Sequence, residues 1–334
     1  MRRIRIAQIG TSKYSHGNGI FDAFKKYPEL FEIVGYTFPE NEREKFPAIM
    51  STFAGYREMT LDEILEDKTI EAVAVETEEI YLTKYAIMAA KAGKHIHMEK
   101  PGGVSHAEFE ELISIVKEKD LVFHTGYMYR YNPIIKKVRE RIKAGEFGDI
   151  ISVEAQMSGF REEEMTDWLN TFPGGMMFYL GCHLVDLVYS IMGRPKKIIP
   201  YNYSSGMYKT DAKDNCFAIF EYDRGISFVK TSQAERGGYG RRQLVITGTK
   251  GSIELKPLEV NVAYPLLRTD YRECFDDKFT ILPEKKESAL YDRYDDMMSS
   301  FAAMVRGEKE NPITPDYELE LHELITAACG ENCK

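Results

Sequence analysis

The sequence predicts an α/β chain: an N-terminal doubly wound parallel sheet, then an α+β domain built on one large, mostly antiparallel open sheet. Three observations carry this. Up to residue 125, short apolar runs alternate with helical patterns, the order of strand-helix-strand units joined by right-handed crossovers. A glycine-rich turn from Gly10 to Gly19 follows the first apolar run at once. From Asp149 onward the chain reads mainly as strands, which favours a broad antiparallel sheet.

Composition sets the outer bounds. With 334 residues, 43% of them hydrophobic and 12% aromatic, the chain has enough apolar material for two cores. The expected domains are 1–125 and 126–334. A net charge of −9, with Lys and Arg spread without a basic stripe, excludes nucleic acid and acidic membrane as partners. Five cysteines (Cys182, Cys216, Cys274, Cys329 and Cys333) form no CxxC pair, which suits a reducing compartment and no zinc site. The basic start at Arg2 and Arg3 is followed by an apolar run too short for a signal peptide, and no stretch has the length of a membrane span. The expectation is a soluble, cytoplasmic enzyme without a metal.

The first half is justified element by element. Ile4–Ile9 is a short apolar strand, and the turn behind it leads into a helix through Ile20, Phe21 and Phe24. Free N–H groups and the helix dipole favour an anion at such a turn, so Gly10, Thr11 and Ser12 are candidates for a dinucleotide phosphate. The G-x-G-x-x-G spacing asks for glycines at 10, 12 and 15, where this chain has Gly10, Ser12 and Ser15, with Gly17 and Gly19 displaced. Ser12 still lets the backbone approach a pyrophosphate; the alternative is an ordinary glycine-rich surface turn. The second strand, Phe31–Thr37, ends without the acid that receives ribose hydroxyls in NAD sites. Thr37 or Phe38 stands there, Glu40 is the nearest acid, and Arg43 is a cation able to reach back, so NAD and NADP both stay open.

Thr60 to Glu63 is a capping box, and Ile70–Val75 is the next buried strand, ending at Glu76-Thr77. Tyr85 to His95 reads as a helix with Ala86, Ala89 and Ala90 on a close-packed side and Gly93 as its stop. The strand from His95 to Met98 runs into Glu99-Lys100-Pro101. Proline biases the residue before it toward an extended conformation, which gives Lys100 a defined direction. Ligands bind outside the carboxyl ends of parallel strands, so Glu99 and Lys100 face the crevice and Lys100 is the first catalytic candidate. Ser105 to Glu108 opens another helix, with His106 in its exposed turn, and Leu121–Thr125 closes the sheet.

In the second half, Gly126 to Pro133 leads into a helix that Gly145 stops. Strands are expected at 150–157, 198–203, 216–222, 227–232 and 243–247, with terminal helices at about 290–305 and 317–329. The chemical segment is Phe172 to Asp186. Read as one helix, it places Tyr179, His183 and Asp186 at i, i+4 and i+7, on a shared face. Histidine, with an ordinary pKa of about 6.5, suits proton transfer near neutral pH. Asp186 is expected to orient or to pack.

The helix, glycine, strand and Glu-Lys-Pro unit, together with Gly174-Gly175, His183 and Asp186, resembles the Gfo/Idh/MocA family of two-domain NAD(P)-dependent oxidoreductases. The resemblance covers nearly the whole chain and makes the first domain Rossmann-type. It implies NAD or NADP at Gly10, Thr11, Ser12, Thr37, Thr77, Glu99 and Lys100, with Glu78 where the family has the proline of a Thr-Pro element. It implies that the segment holding Arg130 and Tyr131 borders the substrate. The family carries D-x-G-x-H near His183, and this chain has Tyr179 in place of the aspartate. A phenol cannot act as a charged orienting partner there, but it can hydrogen-bond a sugar hydroxyl or relay a proton. Catalytic candidates are thus Lys100, His183 and Tyr179, with either of the first two as base. Tyr129, Tyr131, Trp168 and Tyr179 offer flat amphipathic surfaces to a ring, with packing the equal alternative for Trp168.

The implied reaction is hydride transfer between nicotinamide and a secondary alcohol of a sugar, inositol or related polyol, in a homo-oligomer formed through the exposed face of the second sheet. Two other readings stay open. One is a glycoside-cleaving enzyme that uses bound NAD on the same fold. The other is a non-catalytic dinucleotide or sugar sensor.

Overall fold

The computed structural model describes residues 2–263, 265–276 and 283–331, so Cys333 lies outside the described residues. The chain divides into two units, Met1–Tyr127 with Tyr294–His322 and Met128–Arg293 with Glu323–Lys334.

The first unit runs β1 (Ile4–Ile9), α1 (Gly17–Lys26), β2 (Phe31–Thr37), α2 (Glu42–Lys45), α3 (Leu61–Glu66), β3 (Ala72–Val75), α4 (Leu82–Lys91), β4 (His95–Met98), α5 (His106–Glu118) and β5 (Phe123–Thr125). Its sheet is parallel throughout, in the order β2-β1-β3-β4-β5. Tyr36 adds an isolated parallel bridge to Glu58, a remnant of one more strand beyond β2. A parallel sheet is covered on both faces, so its strands are continuous apolar runs; every residue of β3 is buried. The alanines of α4 join this core with Leu112 and Val116 of α5. The capping box at Thr60 makes both of its bonds, and Ser105 accepts the Glu108 N–H. His106 is not simply exposed, since its ring stacks on His322.

The second unit holds α6 (Pro133–Lys143), β6 (Ile150–Ser158), α7 (Glu163–Trp168), α8 (Cys182–Met192), β7 (Lys197–Tyr203), β8 (Asn215–Glu221), β9 (Ile226–Ser232), β10 (Gln243–Gly248), β11 (Ser252–Leu255), β12 (Val260–Ala263), β13 (Leu266–Arg268), β14 (Asp270–Cys274), β15 (Lys286–Glu287) and β16 (Tyr291–Asp292). Eight strands form one sheet in the order β15-β14-β11-β10-β6-β9-β8-β7, with β6–β9 its parallel pair. Strands β12, β13 and β16 form a small separate sheet. Val153, Ala155 and Met157 of β6 and Leu244 and Ile246 of β10 are buried on the face that carries α8. The opposite face exposes Tyr201, Tyr203 and Ile226.

Helices α9 (Asp295–Val305) and α10 (Pro315–Ala328) complete the chain. Residues 294–322 group with the first unit, whereas the expected second domain ran unbroken from 126 to 334. The reason is the covering that β4 and β5 require. Phe301 packs against the rings of His97 and His124, at 5.8 and 5.4 Å, and Glu318 accepts the Thr125 hydroxyl at 2.6 Å.

Candidate active site

In the first unit the level register Ile9↔Val75↔Met98 puts Gly10, Glu76 and Glu99 side by side at the carboxyl edge of the sheet. Gly10 has a φ of 81°, and a Cβ there would lie 2.3 Å from Thr77 Cγ2. Only glycine lets the β1 and β3 loops approach this closely. The Gly10 N–H donates to the Thr37 carbonyl at 2.8 Å, which is how the strand-end threonine enters the site. The Ser12 hydroxyl accepts the Tyr14 N–H, and its carbonyl accepts the Ser15 hydroxyl, both at 3.2 Å. Thr11, Ser12 and Thr77 are all buried.

Glu42, which sequence reasoning did not single out, also reaches this loop. Glu40 and Asn41, with φ of 62° and 57°, reverse the chain after β2 and bring Glu42 back to accept the Thr11 N–H at 3.2 Å. Glu40 itself is committed to Lys84 and Tyr85, at 2.6 Å each, and Arg43 to Glu58.

Lys100 is 2% exposed and Glu99 1%, with Nζ 3.6 Å from Oε1. Glu99 accepts the His16 N–H at 3.2 Å, and its Oε2 lies 3.1 Å from the ring Nδ1. Burial alone would push the Glu99 carboxyl up, but His16 and Lys100 outweigh it and hold the group near 2. The other acids of the edge go the opposite way. Burial, with the Glu99 charge added, raises Glu76 well above the carboxylate range. Burial lifts Glu79 to about 8 against the pull of Lys100, and Glu42 to about 9. His97, pushed down to about 4 by burial, stands 3.5 Å from Glu76 and 2.8 Å from His124. At neutral pH the edge therefore holds one ionised carboxylate beside Lys100, among acids that keep their protons. The buried acids had one signal in the sequence, the run Glu76-Thr77-Glu78-Glu79 directly behind an apolar strand.

The second unit carries the histidine. Met177–Gly181 winds as a π-helical turn before α8 begins. Tyr179 falls in this wider turn, and His183 and Asp186 in the α-helix that follows. A Cβ on Gly181 would lie 2.6 Å from Met177 Sδ, so glycine makes room for that winding. The three side chains take three different partners. Tyr179 meets Trp168 edge-on at 5.1 Å, and His183, 2% exposed, meets Tyr129 edge-on at 5.2 Å. Asp186 receives Arg130 through Nε, 3.1 Å from both carboxylate oxygens, and through Nη2 at 2.8 Å. The Arg130 guanidinium is thus held by a carboxylate of its own chain, while Tyr131 ends the 3₁₀ turn Met128–Tyr131. Sequence reasoning also missed Glu259, which accepts Tyr129 Oη at 2.5 Å, Arg242 at 3.1 Å and Arg293 at 2.7 Å. Burial would raise its carboxyl, and the two arginines hold it below the usual range.

The first unit's edge fits a dinucleotide. It has a glycine where a Cβ would fill the cradle, and buried polar atoms without hydrogen-bond partners among the described residues: Thr11 Oγ1, Glu42 Oε1 and both oxygens of Glu76 and of Glu79. In a doubly wound sheet such a cradle stands at the point where the strand order reverses, here between β1 and β3.

Comparison with known proteins agrees. Residues 4–127 match the model of the oxidoreductase family with an NAD-binding Rossmann fold, and residues 135–254 match the GFO/IDH/MocA C-terminal domain. Uncharacterized oxidoreductase YhhX of Escherichia coli is 30% identical over 58% of this chain and 54% of its own. The scyllo-inositol 2-dehydrogenase (NADP(+)) IolW of Bacillus subtilis is 27% identical over 41% of this chain and 39% of its own. The chain thus spans about half the length, or less, of these curated relatives. The solved structure of a levoglucosan dehydrogenase, in complex with NADH and levoglucosan, superposes with a TM-score of 0.78 at 18% identity and covers 98% of both chains.

Proposed function

From the premise that the chain belongs to the Gfo/Idh/MocA oxidoreductase family, we propose that it transfers a hydride between a nicotinamide dinucleotide and a secondary alcohol of a sugar, inositol or related polyol. The observation that carries this is Lys100, buried beside ionised Glu99 in the row that Gly10 opens. Two matched proteins named as dehydrogenases of an inositol and of an anhydrosugar support the substrate class.

Hydride acceptance is the chemistry the dinucleotide supplies when bound. Gly10, Thr11, Ser12, Thr37, Thr77 and Glu99 hold it in this reading, and Glu99 also keeps Lys100 charged and aimed. A charged Lys100 hydrogen-bonds the alcohol oxygen and stabilises the alkoxide as it develops. His183, fixed against Tyr129, takes the proton. Tyr179, Trp168 and Tyr131 are the substrate-facing surfaces, and Arg130 acts on the site through Asp186. The open sheet face, where Tyr203 is 62% and Ile226 59% exposed, is the surface through which copies of the chain would associate. Among the described residues no helix is long and apolar enough to cross a membrane. A reducing, cytoplasmic setting belongs to the same reading.

The test is nicotinamide reduction followed by absorbance across a panel of polyols and sugars, with NAD and with NADP. Turnover by the wild type that Lys100→Met abolishes supports the reading. Turnover that survives Lys100→Met, or none on any alcohol, counts against it.

A further inference from the structure

Glu259 takes no part in the hydride transfer proposed above, yet stretches of the second unit that are distant in sequence meet on it. It stands one residue before β12, Arg242 one residue before β10, and Arg293 one residue after β16. Its side chain is 6% exposed. Oε1 accepts Arg293 at 2.7 Å, and Oε2 accepts both Arg242, at 3.1 Å, and the Tyr129 hydroxyl, at 2.5 Å. A buried ion cluster of this kind is weak evidence for stability, but it makes a strong and fixed hydrogen-bond acceptor.

The donor it fixes is the ring that meets His183. Tyr129 is 3% exposed, and burial, followed by the Glu259 charge, raises its phenol well above the ordinary value, so the hydroxyl keeps its proton and donates. A ring held at its Cβ alone can swing about χ1; a ring held also at its far end keeps one tilt. That tilt decides the contact. The Tyr129 and His183 rings cross at 86° with centroids 5.2 Å apart, an edge-to-face arrangement that depends on their mutual orientation.

The backbone beneath Tyr129 is held by other means. Asn132 caps α6 by accepting the Ile134 and Ile135 N–H groups, and its amide donates to Thr269 Oγ1 and Tyr291 Oη at 2.8 Å each. The Tyr129 hydroxyl therefore serves the ring more than the turn that carries it.

We propose that Glu259 is a positioning residue for proton transfer: it anchors the Tyr129 hydroxyl, and through the Tyr129 ring it sets the orientation in which His183 takes the proton of the alcohol. The assignment rests on the proposed function, because it takes His183 as the base. It adds a group that acts on that base at one remove.

Tyr129→Phe keeps the ring and removes the anchor, while Glu259→Gln removes the charge. The first readout needs no turnover. Nuclear magnetic resonance of the full-length, cofactor-free protein with labelled histidine rings observes its seven histidines, and the His183 line is the one that His183→Gln removes. The line should be single and narrow in the wild type, and shifted, split or broadened in Tyr129→Phe. The second readout is kinetic, on the best polyol of the panel. Tyr129→Phe should lower kcat by about tenfold or more and leave the polyol KM within about twofold, as misplacement of a reacting group does. Glu259→Gln should lower kcat in the wild-type background and add nothing in the Tyr129→Phe background, because the two residues act along one line. If Glu259→Gln does not fold, Tyr129→Phe alone carries the test. An unmoved His183 line, an unchanged kcat in Tyr129→Phe, or losses that add in the double variant each overturn the proposal and leave the cluster a structural one. A wild type that turns over no alcohol is instead the failure of the proposed function, and this assignment falls with it.

Discussion

Lys100 and His183 carry the chemistry in this account, each fixed by a neighbour of different character. Glu99 holds Lys100 by charge, and the Tyr129 ring holds His183 by packing. Lys100→Met and His183→Ala should each lower kcat by at least about a hundredfold on the best polyol of the panel, the scale of a lost acid-base group. Near-normal kcat in either variant removes that residue from the mechanism. Gly10→Ala should cost roughly 1–3 kcal/mol in chemical denaturation and weaken dinucleotide binding, because the alanine meets Thr77 in a backbone conformation that side chains resist. An unchanged unfolding midpoint would show that the loop has slack. Lys100 was legible in the sequence because a charged pair locked by proline at a strand end has one natural direction. Glu42 is not legible, since a single acid defaults to the surface, and Glu76 and Glu79 leave one mark only, their place in an acidic run directly behind an apolar strand.

The carboxyl edge of the first sheet is an element with a pH dependence of its own. Glu79, lifted to about 8, and Glu42, lifted to about 9, keep protons in the folded chain that the unfolded chain releases above its ordinary value of 4.5. Their contribution to stability is therefore full below about 4.5 and is lost as pH rises through 8 and 9. Thermal unfolding of the cofactor-free protein should show Tm falling between pH 6 and pH 9, and Glu42→Gln with Glu79→Gln should flatten that fall. The same slope in the double variant would show that these carboxyls are not its source. Elements differed in how well the sequence announced them. Strands β1 and β2 are legible to the residue, because apolar residues dominate each run and clear turns bound it. Strands β11 to β16 are not legible, because each spans two to five residues of mixed polarity, too short to show a period. Tertiary pairing, not local pattern, makes them strands.

At the scale of the molecule, a doubly wound sheet followed by a broad open sheet is what the alternation and the later strands predict and what the chain forms. The sequence does not announce that residues 294–322 return to the first unit, since an amphipathic helix shows that it has a buried face without showing which sheet receives it. If copies associate through the open face of the second sheet, Tyr203→Glu with Ile226→Glu should convert the assembly to monomers in light scattering while dinucleotide affinity stays the same. An unchanged mass would place the interface elsewhere. The central claim, that a loop with Ser12 and Ser15 in place of two glycines still cradles a dinucleotide, is tested most directly by calorimetric titration of the nucleotide-stripped protein with NAD(H) and, separately, NADP(H). Saturable one-to-one binding of at least one of the two cofactors is expected, lost or much weakened in Gly10→Ala. No heat with any of the four nucleotides would contradict it and leave the family membership as a matter of ancestry alone.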